Sequence, residues 1–92
     1  MHHIYCITNG NKKILRQNQE LLAHLKAFFG DSIQIYTSRQ TQEAIAFIHQ
    51  LDAQCTHLIC VGGDGTFNTL VNAVCSHPNS AFSPILGVLP NG

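Results

Sequence analysis

The chain has 92 residues, enough for one domain, and 45% of them are apolar, as in a globular protein rather than a disordered one. Only 11% are charged, and five basic residues balance five acidic ones, so the chain lacks the Lys- and Arg-rich face that nucleic-acid binding requires. No apolar stretch approaches the roughly 18 residues of a membrane-spanning helix, and no signal peptide is recognisable, so we expect a cytoplasmic protein.

The cysteines and histidines give little indication of a redox or metal site. No C-x-x-C pair occurs among the four cysteines Cys6, Cys55, Cys60 and Cys75. Cys6 and Cys60 lie in apolar runs, where cysteine acts as a small hydrophobe, so we expect reduced, structural thiols. The six histidines lack helical i,i+4 pairing and have no carboxylate trio nearby, and the sequence therefore predicts no metal site.

The first half of the chain alternates between strand and helix patterns. Residues 2–8, HHIYCIT, form a β-rich run that ends at the turn signal NGNKK. From Lys13, apolar residues recur at helical spacing until Gly30, the type of residue that commonly follows a helix. The segment 32–37, SIQIYT, then alternates apolar and polar residues like a strand.

The second half repeats this alternation. A second helix is expected, capped by Thr37 or Ser38. Its apolar face consists of Ala44, Ile45, Ile48 and Leu51. Residues 56–61, THLICV, are nearly all apolar, as in a strand buried on both faces of a parallel sheet. A third helix ends at 77–79, HPN, and a last strand covers 85–88. The third helix has an apolar stripe of Phe67, Leu70, Val71 and Val74.

The order βαβαβαβ predicts a three-layer α/β fold, a Rossmann-like open parallel sheet with right-handed crossovers and helices on both faces. In such sheets, ligands bind outside the carboxyl ends of the strands. Three polar loops are therefore expected to meet at this edge, at 9–12, 37–40 and 62–66, and a fourth at 90–92.

The stretch 61–68, VGGDGTFN, joins a strand to a helix through a glycine-rich loop. Free first-turn amides and the positive end of the helix dipole favour an anion there. Three residues have no Cβ to block a phosphate: Gly62, Gly63 and Gly65. We expect Asp64 or Thr66 to cap the helix. The loop predicts a phosphate site, with a simple turn as the alternative, and it is neither a Walker A loop nor a G-x-G-x-x-G fingerprint.

The loop contains no lysine, so phosphate charge has to be neutralised by amides, by a divalent cation, or by Lys12 and Lys13 from the first loop. Asp64 beside a phosphate is unfavourable unless a metal or a proton balances its charge. This favours a catalytic role for Asp64, as the carboxylate that accepts the proton of an attacking hydroxyl. An ordinary helix cap is the alternative.

Two segments resemble the catalytic domain of the diacylglycerol kinase family, which includes sphingosine kinases and bacterial lipid kinases. VGGDGTFNTLVNAV at 61–74 is similar to the family's GGDGT loop, and LGVLPNG at 86–92 is similar to the strand that ends L-G-x-x-P-x-G. ITNGNKK at 7–13 and YTSRQTQEA at 36–44 resemble the two other nucleotide loops more loosely. The resemblance spans the chain and implies the N-terminal domain fold of NAD kinases and diacylglycerol kinases.

The resemblance implies an ATP site and transfer of the γ-phosphoryl group to a lipid hydroxyl in phospholipid synthesis, with Mg²⁺ and with peripheral membrane contact. Asn9 and Thr37 match positions that contact nucleotide in relatives. The implied phosphate loop consists of Gly62, Gly63, Asp64, Gly65, Thr66, Phe67 and Asn68. The first loop departs from the family form N-P-x-S-G, and Thr69 stands where many relatives carry glutamate.

The sequence ends at Gly92, just before the family's Thr-x-Asn-Asp. The family's β-rich second domain supplies metal ligands, a catalytic carboxylate and the lipid cleft. We therefore expect residues 1–92 to be the N-terminal, nucleotide-binding part of such a kinase, without the C-terminal domain and inactive alone.

Two alternatives stay open. A fragment of a NAD kinase-like enzyme also has a GGDG loop and phosphorylates a hydroxyl. A non-catalytic oligomerising domain of the same fold forms a homodimer through its unfinished sheet edge, since exposed edges pair with neighbouring strands.

Overall fold

A computed structural model describes residues 3–90, in which strands and helices alternate as predicted. The elements are β1 (Ile4–Asn9), α1 (Lys12–Phe29), β2 (Ile33–Ser38), α2 (Thr41–His49), β3 (His57–Gly62), α3 (Asp64–Cys75) and β4 (Ile85–Pro90). All strand pairs are parallel, in the order β2-β1-β3-β4. The predicted α/β parallel sheet with flanking helices is confirmed.

Each strand contributes side chains to two cores because successive residues of a strand point to opposite faces. Cys6 and Val61 face α1, whose residues Leu21, Leu22, Leu25 and Phe29 cover that side. Ile7 and Leu58 face the other side, which α2 and α3 cover with Ala44, Ile48, Leu70 and Ala73. The sheet is therefore buried on both faces, which explains why β3 is almost entirely apolar in sequence.

The ends of three elements, β1, α1 and β4, lie close to the predicted positions. The predicted first strand, over 2–8, starts at Ile4 in the structure, and its residue 2 lies outside the described residues. Gly30 follows α1 with φ 58°, a left-handed value that glycine adopts without strain. The predicted loop at 90–92 begins with the last residue of β4, and residues 91 and 92 lie outside the described residues.

The predicted caps of α2, Thr37 and Ser38, are wrong. Both residues belong to β2, where pairing with β1 continues to Asn9 opposite Ser38. The N-cap residue is Gln40, which makes no side-chain capping bond, and Ser38 Oγ donates to the Gln40 carbonyl at 2.6 Å. Strand pairing therefore includes both residues whose type favours capping. Leu51, assigned to the apolar face of α2, lies beyond the end of that helix but still packs against the core.

His77 has a structural role at the amino-terminal edge of the sheet. Its Nδ1 accepts the Asn79 N–H at 3.0 Å, so Nε2 carries the proton and donates to the Leu51 carbonyl at 2.9 Å. The ring stacks on Phe82 with centroids 4.0 Å apart. His77 thus connects the loop after α2 to the loop after α3.

The four cysteines are free, and three of them are buried. Burial, with a smaller contribution from nearby Cys60, raises the pKa of the Cys6 thiol to about 12. Burial also raises the pKa of Cys55 to about 11 and that of Cys60 above its usual value. Thiols with such pKa values stay protonated at neutral pH and are poor nucleophiles, as expected of structural cysteines.

Two buried polar atoms, Thr8 Oγ1 and Asn18 Nδ2, make no hydrogen bond with the described residues. Asn18 is the buried polar residue of α1, with 3% of its surface exposed. Thr8 alternates with Ile7 along β1 and so faces the same side of the sheet as Cys6, toward α1. A buried polar group without a partner destabilises the folded state by about 1–3 kcal/mol.

Replacing Asn18 with leucine should therefore stabilise the protein. We expect Asn18→Leu to raise the free energy of unfolding by about 1 kcal/mol, because it removes an unpaired amide and adds apolar contact with the sheet. Urea denaturation followed by circular dichroism measures this. The matched control, Gln19→Leu on the exposed side of the same helix, should change it by less than about 0.5 kcal/mol. Destabilisation by Asn18→Leu would contradict the prediction.

Candidate functional site

A cavity of about 340 Å³ opens at the carboxyl ends of the strands, between the starts of α2 and α3. This is the edge at which open parallel sheets bind ligands. Its polar and glycine lining comes from the ends of β1 and β2, from the loop after β2 and from the first turns of both helices. These residues are Asn9, Ser38, Arg39, Gln40, Thr41, Gly63, Gly65, Thr66 and Thr69.

Both helices that start at the cavity lack a side-chain cap. The N-cap residues, Gln40 for α2 and Gly63 for α3, make no capping hydrogen bond through a side chain. In α3 the first intrahelical bond runs from the Phe67 amide to the Gly63 carbonyl at 3.2 Å, so the preceding amides belong to the unpaired first turn. The predicted caps Asp64 and Thr66 are therefore wrong, since the helix already begins at Asp64. Unpaired first-turn amides and two helix dipoles favour an anion in the cavity.

The three glycines of the loop have different roles. Gly62 is buried with φ 154°, and a Cβ there would lie 2.9 Å from Thr66 Oγ1. A Cβ on Gly63 or on Gly65 would meet no atom within 4 Å, and both of these residues line the cavity. Gly62 therefore permits the backbone to turn close to Thr66, whereas Gly63 and Gly65 leave space for a ligand.

The predicted nucleotide-contacting residues of the other two loops are placed differently. Asn9 ends β1 and lines the cavity, and its Oδ1 accepts the Asn11 N–H at 2.8 Å. Thr37 does not line the cavity. Thr37 lies four residues after the buried Ile33 in β2, so both side chains are on the same face of the sheet, the α1 side. The structure brings Asn9 together with the glycine loop and separates Thr37 from it.

Among the residues of the predicted phosphate loop that do not line the cavity are Asp64, Phe67 and Asn68. Asp64 is exposed, at the first position of α3, and is flanked by Gly63 and Gly65, which line the cavity. Phe67 packs against the core under α3, and Asn68 is exposed. Asp64 is therefore an exposed carboxylate at the start of α3 that neither caps the helix nor lines the cavity.

Within residues 3–90, no group of three or more His, Cys, Asp and Glu side chains is placed to hold a metal ion. Magnesium in phosphate sites is commonly held by one or two carboxylates together with the phosphates of the substrate. The glycine loop has a single carboxylate, that of Asp64, so its residues fit a magnesium ion held mainly by substrate phosphates, and they do not fit a site built from protein ligands alone.

Comparison with known proteins shows the family of the chain. The family model of the diacylglycerol kinase catalytic domain matches residues 3–92. The chain belongs to this family. Diacylglycerol kinases of Staphylococcus carnosus (strain TM300) and Staphylococcus haemolyticus (strain JCSC1435) are 30% and 29% identical to it over 89 residues, 97% of the chain. No solved structure gives a significant match.

The chain spans 28% and 26% of the lengths of these two staphylococcal diacylglycerol kinases. It thus corresponds to a part of each relative that includes the glycine loop.

None of the helices described within residues 3–90 of this diacylglycerol kinase family domain is long and apolar enough to cross a membrane.

The sequence analysis placed the loop 37–40 at this edge but did not single out Arg39, and the only basic residues that it considered for phosphate were Lys12 and Lys13. These lysines line a separate hollow beside the start of α1, with Arg16 and Gln17. A usable signal was present, since Arg39 lies in the segment YTSRQTQEA that resembles a nucleotide loop. Charge alone does not distinguish Arg39 from the lysines, because the choice depends on which loop borders the space between α2 and α3.

The different roles of the glycines predict opposite effects of the same substitution. Gly62→Ala should lower the free energy of unfolding by about 1–3 kcal/mol, because alanine rarely adopts this φ value and its Cβ meets Thr66. Gly65→Ala should leave stability unchanged or raise it by up to about 1 kcal/mol, since alanine favours helix. Thermal and urea unfolding measure both. Equal destabilisation by the two variants would contradict this division.

Proposed function

We propose that this chain is the ATP-binding part of a kinase that transfers the γ-phosphoryl group of ATP to the hydroxyl of a diacylglycerol-like lipid. The observation that carries the proposal is the cavity at the glycine loop, where two uncapped helices begin side by side. Membership of the diacylglycerol kinase family supports the choice of ATP and of a lipid hydroxyl. In this proposal residues 1–92 are the nucleotide-binding part, and a β-rich domain completes the lipid site.

The phosphates of ATP are proposed to lie against the first turn of α3. Gly63 and Gly65 leave open space there, so backbone amides can approach phosphate oxygens closely. Asn9 borders the same space from the end of β1. The glycine loop thus supplies hydrogen-bond donors at positions that the sheet holds fixed, which suits a reaction that depends on positioning.

Asp64 is proposed to accept the proton of the attacking lipid hydroxyl. Its position in the loop, between two cavity glycines, places it next to the proposed phosphate seat. A carboxylate in this position repels phosphate unless a cation is present. Magnesium, when bound with ATP, would neutralise phosphate charge, so that Asp64 can remain beside the phosphates as the proton acceptor.

ATP titration of the 92-residue chain tests the nucleotide site. We expect amide chemical-shift changes at residues 62–68 and at Asn9 in two-dimensional NMR. Gly65→Ala should weaken ATP binding by on the order of tenfold, because the added methyl group occupies ligand space. Gly87→Ala serves as the matched control, since its Cβ makes only an ordinary contact at 3.5 Å with Ile59. Shifts confined to other regions would contradict the proposal.

We further propose that these 92 residues alone do not catalyse phosphoryl transfer. Among the described residues the loop offers a single carboxylate and no metal-holding cluster, whereas the reaction needs the metal, the nucleotide and the acceptor held in line. With ATP, magnesium and diacylglycerol in detergent micelles, no labelled phosphatidic acid should form above background. An intact diacylglycerol kinase is the positive control. Turnover comparable with that control would refute this proposal.

Three expectations about the surroundings of the chain stay predictions. They are a cytoplasmic location, peripheral membrane contact of the whole kinase, and a homodimer through the edge of the sheet. β4 lies at one end of the strand order, and Ile85 and Val88 expose 65% and 43% of their surface there. Exposed strand edges pair with other strands, and this supports the third expectation.

A further inference from the structure

We propose that Arg39 is the phosphate-binding cation of this site and replaces the lysine that the glycine loop lacks. The inference rests on the proposed function, because it assigns a residue to the phosphates of the same nucleotide. It makes Arg39 the residue that lets the cavity distinguish a nucleoside triphosphate from an uncharged nucleoside.

The basic residues of the chain are unevenly distributed, and only one of them is at the cavity. The chain has five Lys and Arg residues, of which Lys12, Lys13, Arg16 and Lys26 all lie in α1. The first three surround the separate hollow at the start of α1. Lys26 donates from Nζ to the Ile33 carbonyl at 3.3 Å. Arg39 is thus the one Lys or Arg residue that lines the cavity.

The charge of Arg39 is not neutralised by its neighbours. No Asp or Glu is among the residues that line the cavity. Within residues 3–90 the Arg39 guanidinium makes neither an ion pair nor a hydrogen bond. Arg39 also directly precedes Gln40, the N-cap residue of α2. A cation at the positive end of a helix is unfavourable unless an anion lies beside it. The first turn of α2 contains one acidic residue, Glu43, but it forms no ion pair with Arg39 within residues 3–90.

The stem of Arg39 lies against the loop after β1. The Gly10 N–H donates to the Ser38 carbonyl at 2.6 Å, which draws this loop against the end of β2. A Cβ on Gly10 would lie 3.1 Å from Arg39 Cγ and 3.0 Å from the Ser38 oxygen. A larger residue than glycine at position 10 would require these neighbours to shift by a few tenths of an ångström, so Gly10 favours this close packing against the stem of Arg39.

Guanidinium groups bind phosphate strongly because two N–H groups can donate to two oxygens of one phosphate. Arg39 lines the cavity from the α2 side, and Gly63 and Gly65 line it from the α3 side. A phosphate group between them is contacted by backbone amides and by the guanidinium together. The glycine loop contains an acidic residue, Asp64, and no basic residue, and this combination disfavours an anion. Arg39 supplies the positive charge that the loop lacks.

The test compares ligands that differ in phosphate content. Calorimetry of the 92-residue chain measures dissociation constants for ATP, for inorganic tripolyphosphate and for adenosine. Arg39→Gln should weaken ATP and tripolyphosphate by on the order of tenfold and leave adenosine unchanged. Arg39→Lys should fall between, because lysine keeps the charge without the paired donors. Arg16→Gln is the matched control, which removes the same charge outside the cavity and should change no constant more than about twofold.

The outcomes separate this inference from the proposed function. If wild type binds ATP and Arg39→Gln binds it equally well, the role of Arg39 is refuted and the nucleotide site stands. If Arg39→Gln weakens adenosine as much as ATP, Arg39 shapes the cavity and does not bind phosphate, which also refutes the inference. If wild type binds neither ATP nor tripolyphosphate, the proposed function itself fails. Circular dichroism melting of each variant checks that it is folded.

Discussion

Parallel pairing of β1 with strands on both sides is the constraint on which the candidate site depends. The register runs from Ile4, opposite both Ile33 and His57, to Asn9 opposite Ser38. Because parallel strands end at the same edge, this register brings three loops together that are far apart in the sequence. The cavity between α2 and α3 is a direct result of that convergence, and no single loop forms it.

The three helices begin in two different ways, and the difference follows their position. The start of α1 is satisfied within the chain, since Asn11 Oδ1 accepts the amides of Lys13 and Ile14 at 2.9 and 3.4 Å. The starts of α2 and α3, at Gln40 and Gly63, have no such acceptor. Among the three α-helices of residues 3–90, only the two that meet at the cavity have no side-chain acceptor for their first-turn amides. This contrast within one chain supports a binding role for the cavity better than the glycines alone do.

A phosphate loop often supplies both the backbone amides and the positive charge that bind a phosphate, whereas in this site they come from two different loops. The glycine loop contributes backbone and space, whereas positive charge comes from the loop after β2. Thr69 occupies the cavity wall with its hydroxyl donating to the Gly65 carbonyl at 3.0 Å. A carboxylate at that position would bring a second negative charge toward the phosphates. With a threonine there, no carboxylate of residues 3–90 lines the cavity, and Arg39 is the basic group that lines it.

The sequence by itself determined the order of elements, the parallel α/β class and the place of the glycine loop. These follow from periods of two and 3.6 residues and from glycine, which are local properties of the chain. The caps of α2 and α3 were predicted wrongly, because the end of a strand depends on its partner's register rather than on which residues favour capping. Tertiary structure also decided that Thr37 faces α1 whereas Ser38 and Arg39 reach the cavity. Successive residues of a strand point to opposite faces of the sheet, so neighbouring residues differ in the side they reach. The register of β2 against β1 fixes which residue faces which side.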